Sequence, residues 1–212
     1  MNLILLGAPG AGKGTQAELL MEQLHIPSIS TGNMLREAIA NGSDLGRQVK
    51  QFMDEGSLVP DELVLSIVAE RTAQPDCANG FILDGVPRTL AQAEALNAKG
   101  VRIDHVVSIE LSDDVIEGRM TGRRVCTKCG ASYHITANPP KAHGICDLCG
   151  AEVATRKDDA PETVRHRLEI YHATTEVLKD YYRAQGKLRL VEGNQSIEGA
   201  NRDILEAIGA EV

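Results

Sequence analysis

Short apolar runs alternate with stretches of helical periodicity along most of the chain. The apolar runs cover residues 2–6, 26–29, 81–83, 105–109 and 188–191. Between them, apolar side chains recur every three or four residues, as at Leu90, Ala93 and Leu96. Continuous apolar strands separated by amphipathic helices are typical of a parallel sheet with helices packed on both faces. The pattern therefore predicts an α/β fold with a five-stranded parallel sheet.

The longest helical stripe lies near the C-terminus. It follows Asp159 and Pro161, which suit a helix cap and a first helical turn. Its apolar members are Val164, Leu168, Tyr171, Leu178 and Tyr182. Because this spacing stays close to the helical period, it predicts one long helix.

Two stretches interrupt the alternation of strands and helices. Residues 31–59 have a helical pattern and contribute no strand, whereas residues 122–159 are rich in turns and contain two C-x-x-C pairs. We interpret both stretches as insertions into a core domain. The predicted units are a core of residues 1–29, 60–121 and 160–212, a helical insertion of residues 30–59, and a small β-rich lid of residues 122–159.

Acidic residues outnumber basic ones, which limits the classes of partner. The chain has 30 Asp and Glu against 22 Lys and Arg, a formal net charge of -8, and no tryptophan. Such a composition is poorly suited to a polyanionic nucleic acid backbone. No apolar run reaches the length of a membrane span, and the start lacks the pattern of a secretory signal. We therefore expect a cytoplasmic protein without nucleic acid or membrane partners, and a monomer is the working expectation.

A glycine-rich segment follows the first apolar run. Residues 7–15 read Gly-Ala-Pro-Gly-Ala-Gly-Lys-Gly-Thr. In a P-loop, glycines let backbone N–H groups converge on phosphate oxygens, a helix N-terminus adds positive potential, and a lysine reaches the β- and γ-phosphates. One departure from the usual motif is Gly14, which stands between Lys13 and Thr15. The predicted phosphate site consists of Gly10, Ala11, Gly12, Lys13, Gly14 and Thr15.

An acidic residue directly follows the apolar run 81–83. Asp84 is expected at the carboxyl edge of the parallel sheet, where such folds bind ligands. A carboxylate there suits Mg²⁺, bound directly or through water. A helix-cap or turn aspartate is the alternative, and the P-loop upstream favours the magnesium role.

Four of the five cysteines occur as two C-x-x-C pairs separated by sixteen residues. The pairs are Cys126 with Cys129 and Cys146 with Cys149. This spacing is typical of a metal ribbon. Four thiolates complete a tetrahedron and leave no position for water, so the metal is expected to be structural. Zinc is the first choice, and iron or cobalt would fit the same ligands.

Several residues with capable side chains are assigned no chemical role. His134 and His143 are surplus to the four cysteines and are expected at the surface or in lid packing. Cys77 is interpreted as a structural or incidental thiol. The arginines interpreted as solvated surface residues are Arg47, Arg71, Arg102, Arg183, Arg189 and Arg202.

Taken together, these motifs resemble the adenylate kinases, in particular their long bacterial form. The similarity covers essentially the whole chain and rests on residues 7–15, 30–36, 84–89 and 155–159, with Arg167. Two positions depart from the usual family residues. Asn33 stands where Asp is more common, and Val86 stands where Phe is more common. Neither position carries a charge that the chemistry obviously requires.

The resemblance implies a P-loop NTPase-type fold and the reversible, Mg²⁺-dependent transfer of a phosphoryl group from ATP to AMP, giving two ADP. The insertion 30–59 would close over AMP. Thr31 and Gln92 would lie near adenine, and Arg36 and Arg88 would reach the phosphate. The AMP-binding residues that the resemblance implies are Thr31, Arg36, Ser57, Leu58, Val59, Gly85, Val86, Pro87, Arg88, Gln92, Arg156 and Arg167.

The resemblance also implies that the lid closes over ATP. Besides the P-loop, the implied ATP-binding residues are Arg119, Arg123, Ser132, Tyr133 and Gln195, the last through its backbone. Phosphoryl transfer leaves a protein little covalent work, so alignment and cationic stabilisation must supply the rate. The implied catalytic residues are Lys13, Asp84, Arg88, Arg123, Arg156 and Arg167. No nucleophilic side chain is expected, because an AMP phosphate oxygen would attack in line.

Two other functions are kept open. A kinase for another nucleoside monophosphate, such as UMP or CMP, would differ in only a few base contacts. A nucleic-acid-binding ATPase or switch would use the cysteine ribbon to grip DNA or RNA. The acidic balance disfavours the second function, as do Lys128 and Asp147, the only charged residues inside the two C-x-x-C pairs.

Overall fold

Eight strands form two sheets in the structure, a computed structural model that describes residues 1–210. The strands are β1 (Asn2–Leu6), β2 (Ser28–Ser30), β3 (Phe81–Asp84), β4 (His105–Glu110), β5 (Arg123–Cys126), β6 (Ser132–His134), β7 (Val153–Ala154) and β8 (Leu188–Glu192). Five of them form the central sheet in the order β2-β3-β1-β4-β8, and all its pairings are parallel. The α/β fold with a five-stranded parallel sheet is therefore confirmed.

Nine α-helices accompany these strands within the described residues. They are α1 (Lys13–Leu24), α2 (Thr31–Ala40), α3 (Asp44–Glu55), α4 (Asp61–Thr72), α5 (Leu90–Ala98), α6 (Asp113–Gly122), α7 (Pro161–Ile170), α8 (Leu178–Ala184) and α9 (Ile197–Ile208). None of them has the length and apolar character needed to cross a membrane.

Side chains of β1 alternate between two apolar cores, one on each face of the sheet. Leu3 and Leu5 join the core covered by α1 and α9, whereas Ile4 and Leu6 join the core covered by α4, α5 and α8. Successive side chains of a strand point to opposite faces, so a strand that is apolar throughout must be covered on both. This burial fixes the sheet as a rigid platform for the loops at its carboxyl edge.

The predicted long C-terminal helix is interrupted, which corrects one expectation. α7 ends at Ile170, a π-helical turn spans Tyr171–Thr175, and α8 begins at Leu178. The apolar stripe still faces the core, because a π-turn adds a residue without ending the helical direction. The expected cap is also wrong. Ala160 precedes α7 without a side-chain cap, while Asp159 is buried in a 3₁₀ turn and pairs with Arg123.

The second sheet, antiparallel in the order β6-β5-β7, lies within the segment predicted to be rich in β-structure. Its core is small and consists of Cys126, Ala131, Tyr133, Cys146 and Val153. The segment 31–59 contains α2 and α3 and no strand, as expected. The last two positions of the predicted core segment 160–212 lie outside the described residues.

Candidate active site

A cavity of about 440 Å³ opens where β1 and β3 end at the carboxyl edge of the sheet. Crevices at this edge are where open parallel sheets bind ligands. Every residue that the sequence assigned to ATP lines the cavity. These residues are Gly10, Ala11, Gly12, Lys13, Gly14, Thr15, Arg119, Arg123, Ser132, Tyr133 and Gln195.

The glycine-rich loop between β1 and α1 can accept only glycine at its tightest points. Gly7 and Gly10 have φ of 138° and 85°. A Cβ at Gly7 would lie 2.7 Å from the carbonyl O of Ile109, and one at Gly10 would lie 2.8 Å from Sδ of Met120. α1 then begins after Gly12 without a side-chain cap, so its first N–H groups face the cavity. The local geometry is that of a phosphate-binding loop.

Lys13 is folded back over this loop. Its Nζ donates hydrogen bonds to the carbonyl O atoms of Gly7 at 2.7 Å and Ala8 at 2.8 Å. Burial, together with the charges of nearby arginines and against the opposing charge of Asp84, lowers the pKa of Lys13 to about 8. This ammonium group would form stronger hydrogen bonds with an anionic phosphate than with the neutral carbonyl groups that it contacts here.

Asp84 ends β3 and lines the same cavity. Its Oδ2 accepts a hydrogen bond from Ser30 Oγ at 3.3 Å, and an ideal Cβ at Gly14 would lie 3.9 Å from the same oxygen. The carboxylate therefore lies beside the start of α1, in reach of whatever the loop binds. Oxygen ligands of this kind fit Mg²⁺, which usually keeps waters and adds substrate phosphates to one or two carboxylates.

Six arginines line the same cavity as the loop. They are Arg36, Arg88, Arg119, Arg123, Arg156 and Arg167. They come from different elements, including α2, α6 and α7, so the fold collects them from segments far apart in the chain. Planar, permanently charged guanidinium groups are the preferred partners of phosphate oxygens.

Two of these arginines are paired with aspartates. Arg123 Nε donates to Asp159 Oδ2 at 2.8 Å, and Arg123 Nη2 donates to Asp159 Oδ1. Arg167 Nη1 donates to Asp158 Oδ2 at 2.8 Å. The side chain of Asp159 is fully buried, and those of Arg123 and Arg167 are about 15% exposed. Arg123 and Asp159 stand at opposite ends of the lid segment, so their ion pair joins its two ends.

Arg156 and Arg88 lie in the cavity, and no carboxylate of residues 1–210 is hydrogen-bonded to either of them. Burial and the charges of Arg123 and Arg36 lower the pKa of Arg156 to about 9, and its buried Nε has no hydrogen-bond partner among the described residues. Burial likewise lowers the pKa of Arg88, against the nearby Asp84 and Asp158. The site thus concentrates positive charge at a cost that an anionic ligand would relieve.

The residues assigned to AMP are distributed less evenly. Of that set, Arg36, Gly85, Arg88, Arg156 and Arg167 line the large cavity. Leu58 and Pro87 line an adjoining cavity of about 70 Å³ together with Gly85, Arg88 and Arg167. Thr31, Ser57, Val59, Val86 and Gln92 line neither cavity.

Thr31 and Gln92 are engaged with protein groups. Thr31 Oγ1 donates to the carbonyl O of Gly85 at 3.1 Å. Gln92 Nε2 donates to Asp61 Oδ1 at 2.7 Å, and its Oε1 accepts from the backbone N–H of Arg88 at 2.7 Å. Both side chains therefore support the loop that bears Arg88, and their contact with adenine stays a prediction.

On the lid side, Ser132 and Tyr133 line the cavity, but the hydroxyl of Tyr133 is bonded elsewhere. It lies 3.4 Å from Cys146 Sγ and accepts from the backbone N–H of Asp147 at 2.8 Å. The side chain of Gln195 donates to the carbonyl O of Glu192 and to Asp203. That arrangement agrees with the expectation that the Gln195 side chain is not used to read a ligand.

The four sulfur atoms of the C-x-x-C pairs lie within 4.8 Å of one another. Sγ of Cys126 is 3.4 Å from that of Cys149, and Sγ of Cys129 is 3.5 Å from that of Cys146. A tetrahedral site with Zn–S bonds of about 2.3 Å requires sulfurs about 3.8 Å apart, so the cluster fits such an ion. Burial opposes the Cys146 thiolate, but the Tyr133 hydroxyl and backbone N–H groups outweigh it and lower its pKa to about 6. These residues can hold a metal, and the geometry alone does not select zinc over iron.

Two cavity residues received no chemical role from the sequence. His134 lines the cavity and its ring packs over Gly122 of the lid segment, which is the second of the two positions expected for it, whereas His143 is exposed. Glu18 also lines the cavity, and burial raises its pKa to about 7. Glu18 is five residues after Lys13 on α1, about 140° around the helix, so helical spacing from Lys13 gave no signal for it.

The six arginines that the sequence placed at the solvated surface agree with the structure only in part. Arg47, Arg102, Arg183 and Arg202 are more than half exposed, as expected. Arg71 is 27% exposed and donates to Asp76 and to Cys77 Sγ, and Arg189 donates to the carbonyl O of Ala207, so neither is simply solvated. Cys77 is buried in the core, which agrees with a structural thiol.

Comparisons with known proteins agree with this geometry. The family model described as adenylate kinase matches residues 5–187. The adenylate kinase of Caldicellulosiruptor bescii is 53% identical over 215 residues, which cover 100% of each chain. That of Archaeoglobus fulgidus is 53% identical over 212 residues, covering 98% of this chain and 97% of the relative. That of a Geobacillus species is 50% identical over 213 residues, 99% of each chain.

The matches to these relatives cover 98% or more of the chain, so they span the segments that contain the phosphate loop, the arginines and the cysteine cluster. Similarity confined to the P-loop would indicate only nucleotide binding, whereas similarity over the whole chain covers both insertions as well. The chain therefore belongs to the adenylate kinase family, whose members transfer phosphoryl groups between adenine nucleotides.

Proposed function

We propose that this protein transfers the terminal phosphoryl group of ATP to AMP, giving two ADP, by in-line attack of an AMP phosphate oxygen. The observation that carries the proposal is the meeting of one phosphate loop and six arginines in a single cavity. A phosphoryl group in transfer spreads negative charge over its equatorial oxygens, and convergent cations stabilise that charge.

The donor nucleotide is proposed to bind along the loop and the start of α1. Backbone N–H groups at Gly10, Gly12 and Gly14 would receive its phosphates, and Lys13 would turn from the carbonyl groups of the loop to the phosphate oxygens. Asp84 would hold Mg²⁺ directly or through water. The ion would supply charge neutralisation on the phosphates. Arg119 and Arg123 would close the site from the lid side.

The acceptor AMP is proposed to bind between α2 and the loop that bears Arg88. Arg36 and Arg88 would bind its phosphate, and Arg156 and Arg167 would lie between acceptor and donor. Support comes from their burial, because four cations with lowered pKa values in one cavity are relieved by a ligand of opposite charge. AMP would contribute its own nucleophilic oxygen.

Closure of residues 30–59 and 122–159 over the nucleotides is also part of the proposal. A Cβ at Gly130 of the lid segment would lie 3.1 Å from Nδ2 of Asn33 on α2. The two insertions thus meet across the cavity, and their contact would shut water out when both substrates are present. Water exclusion prevents loss of the phosphoryl group to hydrolysis.

The cysteine cluster is proposed to hold a structural Zn²⁺, with iron as the alternative. Four thiolates leave no open position for a substrate, so the ion would stabilise the lid without entering the reaction. A small apolar core in the lid supports this role, since such a segment buries little surface of its own. The cytoplasmic location and the monomeric state stay predictions from the sequence.

The choice of AMP can be tested by a coupled assay of ADP formation with AMP, UMP, CMP and GMP in turn, alongside elemental analysis of the purified protein. We expect AMP to exceed each of the others by about 100-fold in kcat/KM, since a site that hydrogen-bonds one base leaves polar groups unpaired with another. Equal turnover of UMP or CMP would assign the chain to the rival monophosphate kinases. Salt-sensitive DNA binding without transfer would favour the nucleic-acid-binding alternative.

A further inference from the structure

Arg88 is fixed through its backbone as well as its side chain. Its side-chain Nε donates to the carbonyl O of Gly85 at 2.8 Å. Its backbone N–H donates to Gln92 Oε1 at 2.7 Å, and its carbonyl O accepts from Thr175 Oγ1 at 2.8 Å. Gln92 belongs to α5, whereas Thr175 is 87 positions beyond Arg88 in the chain. Side chains from α5 and from the segment around Thr175 therefore both hydrogen-bond to the backbone of Arg88.

Thr175 occupies a place where its hydroxyl matters. It is 7% exposed and ends the π-helical turn Tyr171–Thr175, in which Glu176 N–H donates to the carbonyl O of Tyr171. π-turns are rare and occur frequently at functional sites. Thr175 also lines the smaller cavity together with Lys13, Arg88 and Arg167. The turn thus reaches the back of the arginine site.

The neighbouring Thr174 offers a contrast within the same turn. Its Oγ1 donates to the carbonyl O of Ile170 at 2.7 Å, one turn back along its own helix. Threonines commonly make this local bond, which affects only the helix that contains them. The bond of Thr175 instead crosses to the loop after β3.

We propose that Thr175 is a positioning residue for the phosphoryl transfer, holding the Arg88 guanidinium at the acceptor phosphate through its bond to the Arg88 carbonyl. The inference rests on the proposed function, in which Arg88 binds that phosphate. Without the donor, the partly buried carbonyl O of Arg88 loses a partner and the loop can shift. A displacement of about 1 Å at a reacting site can cost about 100-fold in rate, so a small shift is sufficient.

The test compares Thr175→Val and Thr175→Ser with Thr174→Val, using AMP and ATP as varied substrates in turn. Valine keeps the shape and removes the hydroxyl, whereas serine keeps the hydroxyl. We expect T175V to lose about tenfold in kcat/KM for AMP while the KM for ATP changes less than about twofold. T175S and T174V are expected within about twofold of the unchanged protein.

The melting temperature of each variant is measured in parallel. The inference is overturned if T175V and T174V lose kcat/KM for AMP to the same extent. It is also overturned if kcat/KM for AMP in T175V stays within about twofold of the unchanged protein. If T175V does not fold, Thr175→Cys takes its place, because its thiol is a weak donor and its size matches serine. T175C must then fall below T175S by about the same tenfold, and equality of the two overturns the inference.

Arg88→Ala separates this inference from the proposed function. A nearly inactive R88A with an unaffected T175V leaves the proposed function standing and removes the role of Thr175. A fully active R88A removes the role of Arg88 at the acceptor phosphate, and the positioning of Arg88 falls with it.

Discussion

The parallel sheet and the lid are stabilised by different means. The sheet carries apolar side chains on both faces, and residues such as Ile4, Leu83 and Val106 have no exposed surface. The lid has three short strands, one small cluster of buried residues, and four cysteines at its centre. Exposed apolar side chains such as Leu148, at 75%, show how little the lid can bury. The sheet is held by burial, whereas we propose that the lid depends on a metal bound by its cysteines.

That difference has a functional consequence. A phosphate loop must hold several N–H groups in a fixed arrangement, and a sheet buried on both faces provides a support that does not adjust to its ligand. A lid must leave the site and return, so it cannot share a large apolar interface with the sheet. Cross-linking by a metal gives a small moving segment a definite shape without such an interface.

The largest effect is expected from removing charge on the rigid side. Lys13→Met should lower kcat/KM by about a thousandfold, because one buried cation that faces developing charge is worth about 3 to 4 kcal/mol. The melting temperature should change little, since the partners of Lys13 Nζ within the described part of the chain are two loop carbonyl groups. Steady-state kinetics and thermal unfolding measure the two quantities.

Lys50→Met supplies the control for that substitution. Lys50 pairs with Asp54 on the surface of α3 and is 52% exposed, so its loss should leave turnover unchanged. Comparable losses in both variants would mean that overall charge, and not the position of Lys13, governs activity.

The lid should respond in the opposite way, with stability lost before chemistry. Cys129→Ser should lower the melting temperature by roughly 10 °C. We expect it to lower the free energy of unfolding by about 3 kcal/mol, and in a chain of this size each kcal/mol shifts the melting temperature by about 2–4 °C. Saturated turnover should fall less than in Lys13→Met, since the cluster touches no reacting atom. Calorimetry, elemental analysis and limited proteolysis within residues 122–159 give the readouts.

Cys77→Ser is the matched control, because Cys77 is buried in the apolar core of the sheet. It should reduce stability while the bound metal stays at one equivalent. Metal retained in full by Cys129→Ser at an unchanged melting temperature would show that the lid does not depend on the cluster.

The same comparison explains what the sequence could predict. The apolar runs located all five parallel strands within two residues, because burial on both faces leaves an unambiguous pattern. The P-loop and the cysteine pairs were found from local spacing alone. Thr175, Asp159 and Glu18 were missed or misassigned because their roles depend on contacts with segments far away in the chain. The π-turn was missed as well, since its apolar stripe keeps the period of an ordinary helix.

A smaller effect is expected where the two regions join. Asp159→Asn removes the carboxylate that pairs with Arg123 and approaches Arg167, leaving buried cations less compensated. We expect a loss of about 2 kcal/mol in the free energy of unfolding. Denaturant titration measures it, and Glu117→Gln provides the comparison, because Glu117 pairs with Arg165 at the surface and should cost less than about 0.5 kcal/mol. Equal losses of unfolding free energy in the two variants would show that the buried pair contributes no more to stability than the surface pair.

The smallest effect is expected at Glu18, which extends from the rigid helix α1 towards the lid. Burial, with the charges of Glu22 and Asp84, raises its pKa to about 7, against a favourable contribution from the backbone N–H of Ser132. The folded protein therefore holds this proton more tightly than the unfolded chain does. Its contribution to stability is present below about pH 4.5 and is lost as the pH rises through about 7.

Glu18→Gln removes that pH dependence. At pH 8 the variant should melt about 2 °C above the unchanged protein, and at pH 4 the two should coincide, because Glu18 is then protonated in both states. Glu22→Gln, one turn further along the exposed side of α1, should show a smaller difference than Glu18→Gln at pH 8. A constant gap between Glu18→Gln and the unchanged protein across this range would mean that packing against the lid, and not ionisation, sets the contribution of Glu18. The contact between α1 and the lid would then be insensitive to pH.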